Sequence, residues 1–60
     1  MIEILYSAPC VYDPKTIGFG QATIGYTGEY PVATAERYVA SIHPLARLYC
    51  VVKDGHIWFQ

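Results

Sequence analysis

Asp54-Gly55 stands between two apolar runs, "RLYCVVK" (47–53) and "HIWFQ" (56–60), and no other dipeptide in the chain restricts the fold as strongly. A two-residue connection between antiparallel strands favours a type I′ turn. That turn needs positive φ at both central positions, and Asp-Gly supplies it at small cost. The turn then sets the register. Lys53 falls opposite His56, Val52 opposite Ile57, Val51 opposite Trp58, Cys50 opposite Phe59 and Tyr49 opposite Gln60. Because successive side chains alternate between faces, Leu48, Cys50, Val52, Ile57 and Phe59 share one face, the expected core side. Tyr49, Val51 and Trp58 fall on the other, with Lys53 and His56 alongside.

A hairpin alone is not stable in water, so the rest of the chain must supply further strands or a helix. "IEILYS" reads as a strand with Ile2, Ile4 and Tyr6 on one face. Pro9 and Pro14 break "APCVYDPKT", and Asp13-Pro14 favours a turn. After Pro31 the apolar spacing changes from two to the helical period. Ala35, Tyr38, Val39 and Ile42 form one stripe, Thr34 is a candidate N-cap, and Pro44 stops the helix at about His43. The expected fold is α+β. A small, mainly antiparallel sheet of three to four strands carries one helix on one face, in the order β-β-α-β-β, as a single domain over residues 1–60.

The glycine-rich stretch "TIGFGQATIGYTGEY" (16–30) raises the question of a phosphate-binding loop. A P-loop needs Lys-Ser/Thr after its last glycine, and a dinucleotide fingerprint needs a third glycine where Thr23 stands. Neither requirement is met. From Gln21 the pattern alternates, with Ala22, Ile24, Tyr26, Gly28 and Tyr30 on one side, so a strand is expected from Gln21 to Tyr30. The first copy, around Gly18 and Gly20, then reads as the loop or irregular strand leading in.

Charge and residue spacing narrow the function classes. A net charge of −1 gives no basic field for a nucleic acid. There is no signal-peptide pattern and no apolar run of membrane-spanning length, so a cytoplasmic setting with reduced cysteines is expected. The opening Met and the lack of linkers read as a complete small gene product. Cys10, His43, Cys50 and His56 lack the close pairs of a zinc site. No nucleophile and orienting acid accompany a histidine, so no catalytic residue, metal, cofactor or small-molecule ligand is expected. What is left is the outward hairpin face: Tyr49, Val51, Lys53, His56 and Trp58, residue types that include those enriched at interface hot spots. Either a protein partner contacts this face, or residues 8–16 fold back and cover it.

The stretch "GEYPVATAERYVASIHPLARLYCVVKDGHIWF" (28–59) runs strand, alanine-containing helix, then a strand pair ending in aromatics. In size and architecture it resembles the small phage-encoded inhibitors of host machinery, such as the bacteriophage RNA-polymerase inhibitor and some anti-CRISPR proteins. The resemblance implies a non-enzymatic inhibitor or modulator that binds a larger host protein in the host cytoplasm. This chain is only weakly acidic, which fits steric blocking better than DNA mimicry. The alternative class is a self-associating domain that pairs its outward sheet faces across a two-fold axis as a homodimer. A small enzyme or nucleic-acid-binding module ranks third.

Overall fold

Ile2 and Ile4 are sealed completely from solvent, and the strand that carries them is the axis of the molecule. The computed structural model describes all 60 residues. Strand β1 (Ile2–Pro9) is followed by β2 (Ile17–Ile24), helix α1 (Pro31–Ile42), β3 (Arg47–Lys53) and β4 (His56–Phe59). The four strands form one sheet in the order β2-β1-β3-β4, every neighbouring pair antiparallel. The α+β class and the β-β-α-β-β order are as the residue pattern predicts.

Strands pair only as far as their partners extend, and this moves β2 from its expected place. Ile2, the first residue of β1, lies opposite Ile24, so β2 ends there and not at Tyr30. The terminal amine of Met1 donates to the Tyr26 carbonyl at 2.9 Å, just past the last paired residue. At the other end β1 runs on to Pro9, opposite Ile17, so the first glycine copy is paired strand and not a lead-in loop. Gly20 has a packing reason to be glycine. It lies opposite Tyr6, and a Cβ there would come within 2.4 Å of the Tyr6 ring. Residues 10–16 form the connection. The Asp13 carboxylate accepts from the Lys15 N–H at 3.1 Å and the Thr16 hydroxyl at 2.7 Å, organising the turn predicted at Asp13-Pro14.

Helix α1 starts earlier than a Thr34 cap implies. Pro31 occupies the first turn, where a missing N–H costs nothing and the fixed φ is already helical, with Tyr30 as the N-cap residue. The Thr34 N–H donates to the Tyr30 carbonyl at 3.1 Å as the first helical bond. The helix ends before extended His43 and Pro44, as predicted. Ala35 and Val39 are the buried part of its stripe. They pack with Ile2, Ile4 and Val51, while Tyr6, Ile24, Tyr26, Tyr38, Ala46 and Leu48 enclose this core. The Tyr6 and Tyr38 rings meet edge to face at 6.4 Å. Burying an aliphatic side chain of this size contributes about 1.5–3 kcal/mol, so a five-residue core leaves little surplus stability.

The Asp54-Gly55 turn forms as expected, with φ of 52° and 78°. Lys53 lies opposite His56 and Val52 opposite Ile57, the predicted register. Beyond that the prediction fails in two ways. A bulge places Phe59 opposite Val51 and leaves Trp58 as the extra residue. The hairpin is also turned over: Val51 is 0% exposed beneath the helix, and Val52 and Ile57 point away from it. The cause lies in β1. Val51 pairs with Ile4, so it must share the face that Ile2 and Ile4 present to α1. A second bulge, between the Leu5–Cys50 and Tyr6–Leu48 pairs, leaves Tyr49 unpaired and returns Leu48 to the helix side.

Candidate functional site

One helix cannot cover both faces of a four-stranded sheet, and the pairing register shows what lies on the uncovered side. Three rows cross it. Thr23, Glu3, Val52 and Ile57 form the first. Gln21, Leu5 and Cys50 form the second, and Phe19, Ser7 and Arg47 the third. Ile17 extends the face beyond Phe19 and is well exposed. Phe19 is 66% exposed and Ile57 60%, yet both belong to paired strands. Glu3 and Arg47 are the charged members of the three rows. Isolated apolar residues are ordinary on a protein surface, but here Leu5, Phe19 and Ile57 lie exposed among polar neighbours on one sheet face, and an apolar patch rimmed by polar residues is a feature of contact sites.

The bulge at Tyr49 gives this face its relief. Phe19 is on β2 and Tyr49 on β3, with β1 between them, so their backbones are two strand spacings apart, roughly 10 Å. Their rings nevertheless meet edge to face with centroids 5.3 Å apart. The pair therefore arches over β1, and Ser7 beside it is only 4% exposed. An edge-to-face pair adds about 0.5–1.5 kcal/mol beyond burial of its area, so the arch holds a shape as well as an apolar surface.

The five residues singled out in the sequence do not form one site. Val51 is in the core and cannot touch a partner, for the pairing reason given above. Tyr49 belongs to the open face, in the arch with Phe19. Lys53 pairs with Ile2 and so lies on the helix side, its amine 5.7 Å from the centre of the Trp58 ring and 3.6 Å from the Asp54 carboxylate. His56 is exposed beside it, across from Lys53. Lys53, His56 and Trp58 thus gather at the turn end of the hairpin, separate from Tyr49. Leu5, Phe19, Cys50, Val52 and Ile57 were missed as surface residues. Residues 8–16 do not fold back over the hairpin, and Val11 and Tyr12 are almost fully exposed.

The remaining polar groups are engaged in local geometry. The Leu45 N–H donates to His43 Nδ1 at 3.0 Å, which fixes that ring in the turn after α1. The Tyr26 phenol is held below the ordinary tyrosine value by the Thr34 hydroxyl beside it and by the Tyr30 N–H, which donates to it at 3.1 Å. Cys10 and Cys50 are free thiols, and no three His, Cys, Asp or Glu side chains gather closely enough to hold a metal ion. No helix is long and apolar enough to cross a membrane. A scan against family models matches nothing, and the comparisons with curated proteins and with solved structures each find no match.

Proposed function

We propose that the chain is a non-enzymatic protein-binding domain that inhibits or modulates a larger protein by covering one of its surfaces, in the cytoplasm of a phage host. One observation carries the reading: α1 covers one face of the sheet, and the other carries Leu5, Ile17, Phe19, Tyr49 and Ile57 exposed. The molecule measures 35 × 18 × 16 Å, so its broad face offers roughly 600 Å² to a partner. Doubled for the two sides of a contact, that is at the lower limit of about 1,200 Å² for a specific interface.

A self-associating domain is the second reading, and the outer edge of β2 favours it. Ile17–Ile24 is eight residues long and contains neither a charge nor a proline, the usual protections of a free edge. A photo-crosslinker placed at Ile57, and a control at Ala40 on the solvent side of α1, test both readings in cell lysate alongside sedimentation at micromolar concentration. A monomer that crosslinks to a larger protein from Ile57 and not from Ala40 is the expected result. Equal crosslinking from both positions, or none from Ile57, refutes the open-face contact. A dimer that crosslinks only to itself establishes the second reading.

A further inference from the structure

At the Ser7 end of the open face the loop after β1 and the loop after α1 rise on either side of a groove of about 710 Å³. Its walls are mixed, with Pro14, Ile17, Leu45 and Tyr49 among the apolar residues. Two of the four basic side chains of the protein, Lys15 and Arg47, also line it, and no carboxylate does. Neither is in an ion pair, since the one ion pair in the chain is Lys53–Asp54. Two acids lie on neighbouring segments and neither pairs with Lys15 or Arg47 through an ion pair. Asp13 accepts the Lys15 N–H and the Thr16 hydroxyl, and Glu36 faces a neighbouring hollow beside Arg47 without pairing to it.

Ser7 supplies an independent observation. It is 4% exposed, lines this groove, and its hydroxyl takes part in none of the side-chain hydrogen bonds of the protein. No side-chain oxygen is fully sealed without a partner, so the Ser7 hydroxyl keeps its remaining access through the groove it lines. Water can satisfy a hydroxyl with that access, so anything that fills the groove must replace the water with a hydrogen-bonding group of its own. An unpaired lysine and an unpaired arginine in the same groove favour a group that accepts hydrogen bonds and carries negative charge.

We propose that this groove receives a carboxylate from the protein partner, an acidic residue flanked by apolar ones. Arg47 and Lys15 hold the charge, Ser7 donates to one oxygen, and the apolar wall residues seat the flanking side chains. A bare inorganic anion makes no use of those apolar residues. The proposal rests on the protein-binding reading and names the chemistry of the partner segment.

Amide NMR titration with the probe peptide acetyl-Leu-Glu-Leu-Glu-Leu-amide tests it, against the same peptide with Gln for Glu and against inorganic phosphate. Saturable shifts at Ser7, Ala8, Lys15 and Arg47 are expected with the Glu peptide, with the Gln peptide at least about tenfold weaker. Arg47→Gln and Lys15→Gln each weaken the Glu peptide by about tenfold, the size of one charge-assisted hydrogen bond, with unchanged thermal melts because both side chains are exposed. Ser7→Ala has a smaller effect in the same direction. Equal titration by the Glu and Gln peptides, or no saturation by either up to about 10 mM, overturns the proposal. Saturation of the same amides by phosphate at the concentration of the Glu peptide makes the site one for free anions and overturns the peptide assignment. If peptide binding fails while crosslinking from Ile57 persists, the groove proposal falls and the protein-binding reading stands. Peptide binding without crosslinking leaves a carboxylate-binding groove but overturns its assignment to a larger protein partner.

Discussion

Val51 and Val52 are neighbours of identical chemistry, and the sheet gives them opposite surroundings. Val51 lies in the helix-covered face, sealed between Ile4 and α1. Val52 lies in the open face, beside Glu3 and Ile57. Each face carries aliphatic residues and one aromatic pair, Tyr6 with Tyr38 on the covered side and Phe19 with Tyr49 on the open side, but the open face also carries Glu3, Ser7, Gln21, Thr23 and Arg47. What separates their apolar residues is the second layer. A second layer turns an apolar face into a core, and without one the same face is a surface available for contact.

The largest expected effect comes from the valine pair. Val51→Ala should destabilise by about 2–3 kcal/mol, the loss of two buried methyl groups plus the cavity left behind. For a domain of this size that lowers the melting temperature by roughly 10–20 °C. Val52→Ala should cost less than about 1 kcal/mol. Thermal melts followed by circular dichroism compare the two, and a larger loss for Val52 means that the hairpin faces the other way.

Gly20 sharpens the covered side. Alanine normally gains about 0.5–1 kcal/mol over glycine in a strand, but here its Cβ must push the Tyr6 ring away from Tyr38. Gly20→Ala should therefore destabilise by about 1 kcal/mol, and should become stabilising in a Tyr6→Leu background, where the ring is gone. A sign that stays the same in both backgrounds rules out the close approach.

On the open side, a double-mutant cycle of Phe19→Ala and Tyr49→Ala should give a coupling of about 0.5–1.5 kcal/mol in chemical denaturation. Zero coupling shows that the arch over β1 does not form, and the open face is then flat.

The smallest effect is electrostatic. Tyr26 should ionise below the ordinary tyrosine value in an ultraviolet titration. Tyr26→Phe removes that low component, and Thr34→Ala moves it upward. The folded state holds the phenol below its unfolded value of about 10, so the folded protein releases this proton first. The associated stabilisation is present above the unfolded value and is lost as pH falls through the folded one.

Much of the covered face was legible because it follows local rules. Ile2, Ile4 and Tyr6 alternate, Ala35, Tyr38 and Val39 repeat at helical spacing, and Asp54-Gly55 is a turn whose geometry follows from its two residues. The open face was not legible, and the reason is physical. Both faces of "RLYCVVK" are apolar, so alternation identifies two sets without saying which one meets the helix. Pairing with Ile4 decides that, and it joins opposite ends of the chain. The bulges at Tyr49 and Trp58 have no marker in the sequence, since neither residue is a glycine. The end of β2 depends on where β1 begins, a limit that Thr-Ile-Gly-Tyr-Thr does not carry in itself. Phe19 went unnoticed because a single aromatic between two glycines reads as loop until Ser7 and Tyr49 are placed beside it.

The central position of β1 also has a kinetic consequence. Strand β1 pairs with β2, the next strand in sequence, and with β3, which follows only after the helix; Ile2 lies opposite both Ile24 and Lys53. The β1–β2 hairpin can close early, but it has no second layer until the helix arrives and no neighbour along its inner edge until β3 does. The entropy of closing that long loop must be overcome before its contacts repay it, so folding should be slower than chain length alone implies. In that interval Ile2, Ile4 and the unpaired edge of β1 face water together, and this is when the protein is most open to pairing with another chain.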